Sequence, residues 1–151
     1  MNALIEDSIK LFSRQHENIS FGIKKGHHEP LEVDKNKIQQ VLNNLLLNAI
    51  DACDQVEKPA INLETKTKKI NSSKYCQITI DDNGKGFDED IIKNAFEPYQ
   101  TSKQHGKGLG LAIVKSIIDE HKGKINIDNS NLGAIIEIIL PTEQKNRESI
   151  Q

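Results

Sequence analysis

The order of its amphipathic segments is the feature that most limits what this chain can fold into. Residues 34–54 and 109–121 repeat apolar side chains at helical spacing, and weaker helical patterns occupy residues 2–13 and 88–94. Shorter stretches that alternate apolar and polar residues predict strands at residues 19–23, 60–68, 75–81, 124–129 and 134–140. Helices interspersed with strand pairs predict an α+β fold, a two-layer sandwich in which helices cover one face of a sheet.

The length of 151 residues predicts one domain, placed at residues 1–141 with residues 1–33 as a lead-in and residues 142–151 as a polar tail. The net charge of −2 lacks the basic excess typical of nucleic-acid-binding domains. The sequence shows neither an apolar run long enough for a membrane helix nor a signal-peptide pattern. Cys53 and Cys76 form no CxxC pair, which indicates reduced thiols and a cytoplasmic chain, with membrane attachment of a parent protein left open.

The polar side of the 34–54 helix carries a stripe of amide and carboxylate side chains. Asn44, Asn48 and Asp51 follow the spacing i, i+4, i+7 and therefore lie along one border of the apolar face. Asn lowers helix stability by roughly 0.5–0.7 kcal/mol relative to Ala. Three asparagines within one helix, Asn43, Asn44 and Asn48, are therefore unfavourable for helix formation, and such exceptions often mark functional positions. An amide oxygen suits Mg²⁺ as a neutral ligand, whereas a solvated helix face is the alternative interpretation.

A second group of residues follows the apolar strand at residues 76–80. Asp82 stands where a carboxylate can accept a hydrogen bond from an exocyclic amine, and Gly84 and Gly86 leave room for a flat ring. An Asn-Gly hairpin turn is the alternative. Against a hairpin, no strand-like alternation follows Gly86, and Asp81 and Asp82 together carry more charge than a turn requires.

Alternating glycines lead directly into the helix at residues 109–121. Gly106, Gly108 and Gly110 are separated by Lys107 and Leu109. Such spacing lets successive backbone N–H groups face one concavity, and the helix N-terminus adds the positive end of its dipole. The junction therefore predicts a phosphate site, although the spacing is neither a GxGxxG fingerprint nor a Walker A loop.

Residues 97–107 follow Phe96 and include the first of these glycines. The segment is polar and without periodicity, which predicts a mobile lid. It contains Thr101 and Lys103, and a lysine can reach a phosphate as a point charge. A flexible linker is the alternative for the glycine segment. The large apolar Leu109 between the glycines argues against a free linker.

In this order, the four groups resemble the N, G1, F and G2 boxes of the catalytic ATP-binding domain of two-component sensor histidine kinases. The resemblance is closest over residues 34–141, and the variant Phe-Glu-Pro-Tyr at residues 96–99 is most similar to the nitrogen-regulation NtrB/NtrY-like branch. It implies a Bergerat fold: a mixed five-stranded sheet with three main helices on one face and ATP beneath a lid. It also implies ATP and Mg²⁺ as ligands.

The resemblance implies a role for each matching residue. Asn44 and Lys103 take catalytic roles, Asn48 coordinates Mg²⁺, and Asp82 binds the adenine amine. The remaining nucleotide-binding positions are Asp51, Gly84, Gly86, Phe96, Thr101, Gly106, Lys107, Gly108, Leu109 and Gly110. Lys107 departs from the family, which often carries threonine there, so its phosphate contact is not carried over directly.

Asn44 also occupies the place where chaperone ATPases of this fold carry a glutamate general base. An amide cannot act as a general base, which favours transfer of phosphate over hydrolysis. None of the five histidines has the context of the family's phosphoacceptor histidine, so we expect the acceptor on a separate helical hairpin of the parent kinase, with a response regulator downstream. We expect no nucleic-acid or membrane contact by this domain. An anti-sigma-type serine kinase or switch ATPase and a non-catalytic nucleotide-binding module are the alternatives.

Overall fold

A computed structural model of the chain describes residues 1–97 and 108–142. These residues form four helices, α1 (Asn2–Gln15), α2 (Lys35–Ala52), α3 (Glu89–Asn94) and α4 (Gly108–Glu120). They also form five strands, β1 (Ser20–Lys24), β2 (Ala60–Ile70), β3 (Ser73–Asp82), β4 (Lys124–Asn129) and β5 (Ala134–Pro141). Residues 98–107 of the predicted lid and residues 143–151 of the predicted tail lie outside the described residues.

The strands of the described chain form one mixed sheet in the order β1-β2-β3-β5-β4. The edge strand β1 runs parallel to β2, and the other neighbouring pairs are antiparallel. Helices α1 and α4 both pack against α2, which itself contacts β3. The predicted α+β two-layer fold, a mixed five-stranded sheet with three main helices on one face, is confirmed.

The core lies between the helices and the inner face of the sheet. One row of this face runs across four strands through Leu63, Ile80, Ile136 and Ile127, which are register partners in turn. All four side chains are at most 8% exposed. Successive residues of a strand point to opposite faces of the sheet. The alternation of apolar and polar residues along each strand therefore indicates which side chains face the core.

Helix α2 forms the centre of the helical layer because its apolar face is buried along its whole length. Asp34 caps its N-terminus, with a side chain that accepts a hydrogen bond from Lys37 N. The helix ends at Ala52, two residues before the end predicted from the sequence. The Ala52 carbonyl accepts from Lys85 N at 3.1 Å, so the turn after β3 satisfies a backbone group that the helix leaves open.

A polar contact joins α1 to α2. Ser8 is 1% exposed and donates to Asn43 Oδ1 at 2.9 Å, and Gln39 Nε2 donates to Ser8 Oγ. The sequence analysis counted Asn43 among the three asparagines that are unfavourable for helix formation. The structure gives Asn43 a packing role, because a buried hydroxyl between two helices needs a hydrogen-bond partner.

Strand boundaries differ slightly from the sequence-based expectation. The hairpin of β2 and β3 is longer than predicted, and its turn consists of Asn71 and Ser72, both with positive φ, at 50° and 68°. Thr142, where the sequence analysis starts the polar tail, is buried and donates to Lys74 O at 2.9 Å. Across residues 1–97 and 108–142, the helices are all too short or too polar to cross a membrane.

Thr65 of β2 provides a test of how the lead-in segment is attached. Its hydroxyl is 2% exposed, donates to Asn2 Oδ1 at 2.7 Å and accepts from Gly26 N at 3.0 Å. Thr65→Val keeps the shape but leaves both partners unmet, so we expect the free energy of unfolding to fall by about 1–3 kcal/mol in urea denaturation. Thr79→Val on β3, where the side chain is only half-buried, is the matched control. Equal stabilities of the two variants would contradict this attachment.

Candidate functional site

The C-terminal end of β3 places a carboxylate on the inner face of the sheet. Asp82 is the register partner of the core residue Ile61 and is only 6% exposed. Its Oδ1 accepts from Gly84 N at 2.8 Å and from Ala134 N at 3.4 Å. Burial raises the pKa of Asp82 above its ordinary value, although these two hydrogen bonds oppose the rise. An ionised carboxylate offers about four acceptor positions, so the site keeps capacity for the donor of a ligand.

The turn after Asp82 is held from two sides. Gly84 packs against the end of α2 so closely that a Cβ there would lie 2.5 Å from Ala52 O. Asn83 Oδ1 accepts from Ala60 N at 2.9 Å, and Asn83 Nδ2 donates to Lys58 O at 2.9 Å. The chain continues into α3 instead of a second strand, so the interpretation of this segment as an Asn-Gly hairpin is wrong.

Gly133, in the connection between β4 and β5, packs against this turn, a contact that the sequence analysis missed. A Cβ at Gly133 would lie 2.5 Å from Asp82 O and 2.8 Å from Gly84 N. The available signal was a glycine directly before the apolar strand at residues 134–140, because glycine next to a strand often marks a close backbone approach. Its long-range partner could not be read from the sequence.

Three predicted site residues meet at one cavity of about 20 Å³ between α2 and the inner face of the sheet. Asn48 of α2, Asp82 of β3 and Gly86 all line it, and Phe87 forms part of its wall. These residues come from separate segments of the chain. Asn48 of the amide stripe therefore lies near Asp82 and the turn that follows it, as expected if the two motifs form one nucleotide site.

The packing of α4 on α2 bears on where the first turn of α4 lies. The start of α2 contacts the end of α4: Lys37 Nζ lies 2.7 Å from Glu120 Oε2, and Asp34 N donates to His121 Nε2 at 3.1 Å. These contacts indicate an antiparallel pair of helices. Asn48 and the first turn of α4 then both lie about 15 Å along their helices from these contacts, in the same direction. We therefore expect the positive end of α4 on the Asn48 side of the site, where it would favour an anion.

The other predicted residues divide into three groups. Asn44 is half-buried on α2, one turn before Asn48, and Phe96 is half-buried against the core after α3. Gly108, Leu109 and Gly110 form the first turn of α4, so they are helical and not part of a loop. Thr101, Lys103, Gly106 and Lys107 lie outside the described residues.

Asp51 is not brought to the cavity of Asp82. It lines a separate cleft of about 430 Å³ with His16 and Asn18, near the chain that follows α1. Helical spacing placed Asp51 on the stripe of Asn44 and Asn48, but it could not show which neighbouring element faces the last turn of α2. In the described part of the chain, no group of three or more His, Cys, Asp or Glu side chains is arranged to hold a metal ion.

Comparison with known proteins identifies the family. Residues 33–144 match the family described as histidine kinase-, DNA gyrase B- and HSP90-like ATPase. This chain belongs to that family. The ATPase family predicted from the four motifs is therefore confirmed, and the fold is that of a histidine kinase catalytic domain.

Individual relatives are sensor kinases. An NtrY-like sensor histidine kinase of Rickettsia bellii is 39% identical over 112 residues, which are 74% of this chain and 18% of that protein. Sensor histidine kinase ZraS of Salmonella typhimurium is 34% identical over 145 residues, which are 93% of this chain and 30% of that protein. This chain therefore spans less than a third of either relative. The NtrB/NtrY-like branch is not distinguished, since ZraS matches more of the chain.

Solved structures show the same fold. The nucleotide-free catalytic domain of histidine kinase ThkA superposes with a TM-score of 0.80 at 31% identity, covering 94% of this chain and 92% of that domain. ThkA in complex with the response regulator protein TrrA matches with a TM-score of 0.72 at 28% identity, over 95% of this chain and 40% of the ThkA chain.

The buried carboxylate makes a prediction about stability. A raised pKa means that Asp82 stabilises the fold fully below the pKa of the unfolded chain and loses this contribution as pH rises through the folded-state pKa. Asp82→Asn removes the charge and keeps an oxygen for the two N–H donors. We therefore expect the variant to unfold at a higher urea concentration than the wild type at pH 7. The difference should vanish below about pH 4, where an ordinary aspartate is protonated. Lower stability of Asp82→Asn at pH 7 would contradict a net burial penalty.

Proposed function

We propose that this chain binds MgATP and donates the γ-phosphoryl group to a histidine on a separate phosphoacceptor hairpin. The observation that carries the proposal is the meeting of Asn48 and the buried Asp82 at one cavity. The Asn48 amide is suited to the phosphate end of a nucleotide, and the Asp82 carboxylate is suited to the base end. The family of the chain and its kinase relatives support the same assignment.

The base end depends on Asp82. Its carboxylate would accept from the exocyclic amine of adenine, and Gly86 lines the same cavity without a side chain. A buried acceptor discriminates strongly, because a base without the matching donor leaves the carboxylate unsatisfied. Preference for adenine over hypoxanthine, which carries an oxygen in place of the amine, follows from this group.

The phosphate end suits a magnesium ion that is shared with the nucleotide. Mg²⁺ keeps several waters and uses one or two protein oxygens together with substrate phosphates, so the single amide oxygen of Asn48 fits this pattern. Bound there, the ion would neutralise phosphate charge. The N–H groups of the first turn of α4, at Gly108 to Gly110, would bind phosphate oxygens. We propose phosphate contacts also for Thr101, Lys103, Gly106 and Lys107.

Phosphoryl transfer needs positioning and charge neutralisation more than covalent help. The ring nitrogen of the acceptor histidine forms the new N–P bond as the γ-phosphorus loses its bond to the bridging oxygen, and ADP leaves with that electron pair. Asn44 has no basic group with which to activate water, so the site favours transfer over hydrolysis. This property also argues against a switch ATPase.

The finer assignments follow from the same relatives. We propose a place in the NtrB/NtrY-like branch, with the NtrY-like protein of Rickettsia bellii as support. A response regulator would act downstream, as the ThkA–TrrA complex suggests for a relative. We place the domain at residues 1–141 with a tail at 142–151, in the cytoplasm, without its own membrane or nucleic-acid contact.

Asn48→Ala tests the phosphate end. The variant should lose most of the increase in ATP affinity that Mg²⁺ gives, while its melting temperature stays equal or rises slightly because Ala is the better helix former by about 0.5 kcal/mol. Titration calorimetry with ATP, with and without Mg²⁺, measures the first, and thermal denaturation measures the second. Asn36→Ala on the exposed start of α2 is the matched control. An unchanged Mg²⁺ dependence in Asn48→Ala would remove this residue from the metal site.

Activity is tested by supplying the missing acceptor. Incubated with γ-labelled ATP alone, the chain should remain unlabelled and hydrolyse ATP slowly. With a separate histidine-bearing hairpin at high concentration, acid-labile label should appear on the hairpin. Transfer should be inefficient, because an untethered acceptor loses an effective concentration of the order of millimolar.

Two results would contradict the proposal. Acid-labile label on this chain alone would make one of its own histidines an acceptor. Label that never leaves ATP, in the presence of hairpins from several sensor kinases, would favour a module that binds nucleotide without catalysis.

A further inference from the structure

Asn129 holds the far wall of the Asp82 cavity through its side chain. Its Oδ1 accepts from Phe87 N at 2.7 Å, and its Nδ2 donates to Phe87 O at 2.8 Å. The amide thus binds both backbone groups of one residue, as a neighbouring strand would. Phe87 itself lies outside the strands and lines the cavity.

The same amide fits against Gly86. This glycine has a φ of +77°, and a Cβ there would lie 2.8 Å from Asn129 Oδ1. Positive φ and close approach together require glycine at this position. The backbone of Gly86 and Phe87 is therefore fixed from one side by Asn129, at a point where it has no ladder partner of its own.

The backbone of Asn129 is linked to the opposite wall. Asn129 pairs with Ala134 in the register of β4 and β5, and Ala134 N donates to Asp82 Oδ1. Ala134 also lines the cavity. One residue is thus connected through its backbone pairing to the buried carboxylate and through its side chain to the wall at Phe87. Displacement of either wall changes the surroundings of the Asp82 carboxylate, at which the edge of a base would bind.

We propose that Asn129 is a positioning residue for base recognition, which sets the separation between the Asp82 carboxylate and the Gly86–Phe87 wall. This inference rests on the proposed nucleotide-binding function. An amide suits the task because it supplies one donor and one acceptor in the geometry of a peptide group. Alanine supplies neither a donor nor an acceptor, so the Gly86–Phe87 wall would lose both hydrogen bonds to residue 129.

The test compares two nucleotides that differ at the exocyclic amine. We would measure by calorimetry the affinities for MgADP and for MgIDP, whose base carries an oxygen in place of that amine. Asn129→Ala should weaken MgADP binding about tenfold and MgIDP binding less than twofold, the size of effect typical of residues that share one network. Asn126→Ala, on an exposed position of the same strand, is the matched control and should change neither affinity.

A double variant tests whether Asn129 acts through Asp82. Asp82→Asn should weaken MgADP binding about tenfold, and adding Asn129→Ala should cost less than a further twofold, because the contact to be positioned is already lost. For each variant, the affinities for MgADP and MgIDP are measured on the same folded protein, and their ratio is compared. A lower melting temperature of a variant therefore does not alter the conclusion.

The outcomes separate this inference from the proposed function. If the wild type does not prefer MgADP, or if Asp82→Asn binds it equally well, the assignment of the base site fails and the role of Asn129 fails with it. If both hold while Asn129→Ala weakens the two nucleotides equally, or neither of them, Asn129 is a structural cap and only this inference is overturned.

Discussion

Asp82 places a carboxylate at an inward-facing position of the central strand β3, in line with the core residues Ile78 and Ile80. Burial of an ionised group costs several kcal/mol unless hydrogen bonds replace its water. The neighbouring backbone adapts to supply them. Gly84 N and Ala134 N donate to the carboxylate. Gly84 lacks a side chain where the turn packs on Ala52 O, and Gly133 lacks one where it packs on the backbone of Asp82. The position is thus unfavourable for stability and is retained with an elaborate turn around it, as expected for a group that binds a ligand.

The sheet register turns this local feature into a site. The row of Leu63, Ile80, Ile136 and Ile127 is wholly apolar, whereas the next row toward the end of the sheet contains Asp82 beside Ile61. A shift by one residue in β3 would turn its inner side chains to the open face and remove the carboxylate from the cavity. The apolar rows therefore fix the register, and through it they fix the place of the ligand-binding group.

Much of this arrangement could be predicted from the sequence, because periodicity shows which face each element buries. The order of elements and the start of α2 at Asp34 follow from local patterns, whereas the roles of Asn48 and Asp82 rest on the four motifs taken together and stay predictions. Residues whose role depends on a distant partner could not be predicted. Asn43 faces Ser8 of α1, and Asp51 lines a cleft near His16, although both lie close to Asn48 in sequence. Helical spacing places a residue on a face, but tertiary packing decides what that face meets.

The base end and the phosphate end of the proposed nucleotide site lie on different structural elements. The base end lies on the sheet, where ladder hydrogen bonds from three strands and the side chains of Asn83 and Asn129 hold one turn. The phosphate end relies on α2 and on the start of α4, whose relative position depends on helix packing and on contacts at their opposite ends, such as Lys37 with Glu120. That ion pair is about half exposed, so solvent screens it and it contributes little to stability. A sliding of α4 along α2 would thus change the phosphate end more readily than the base end.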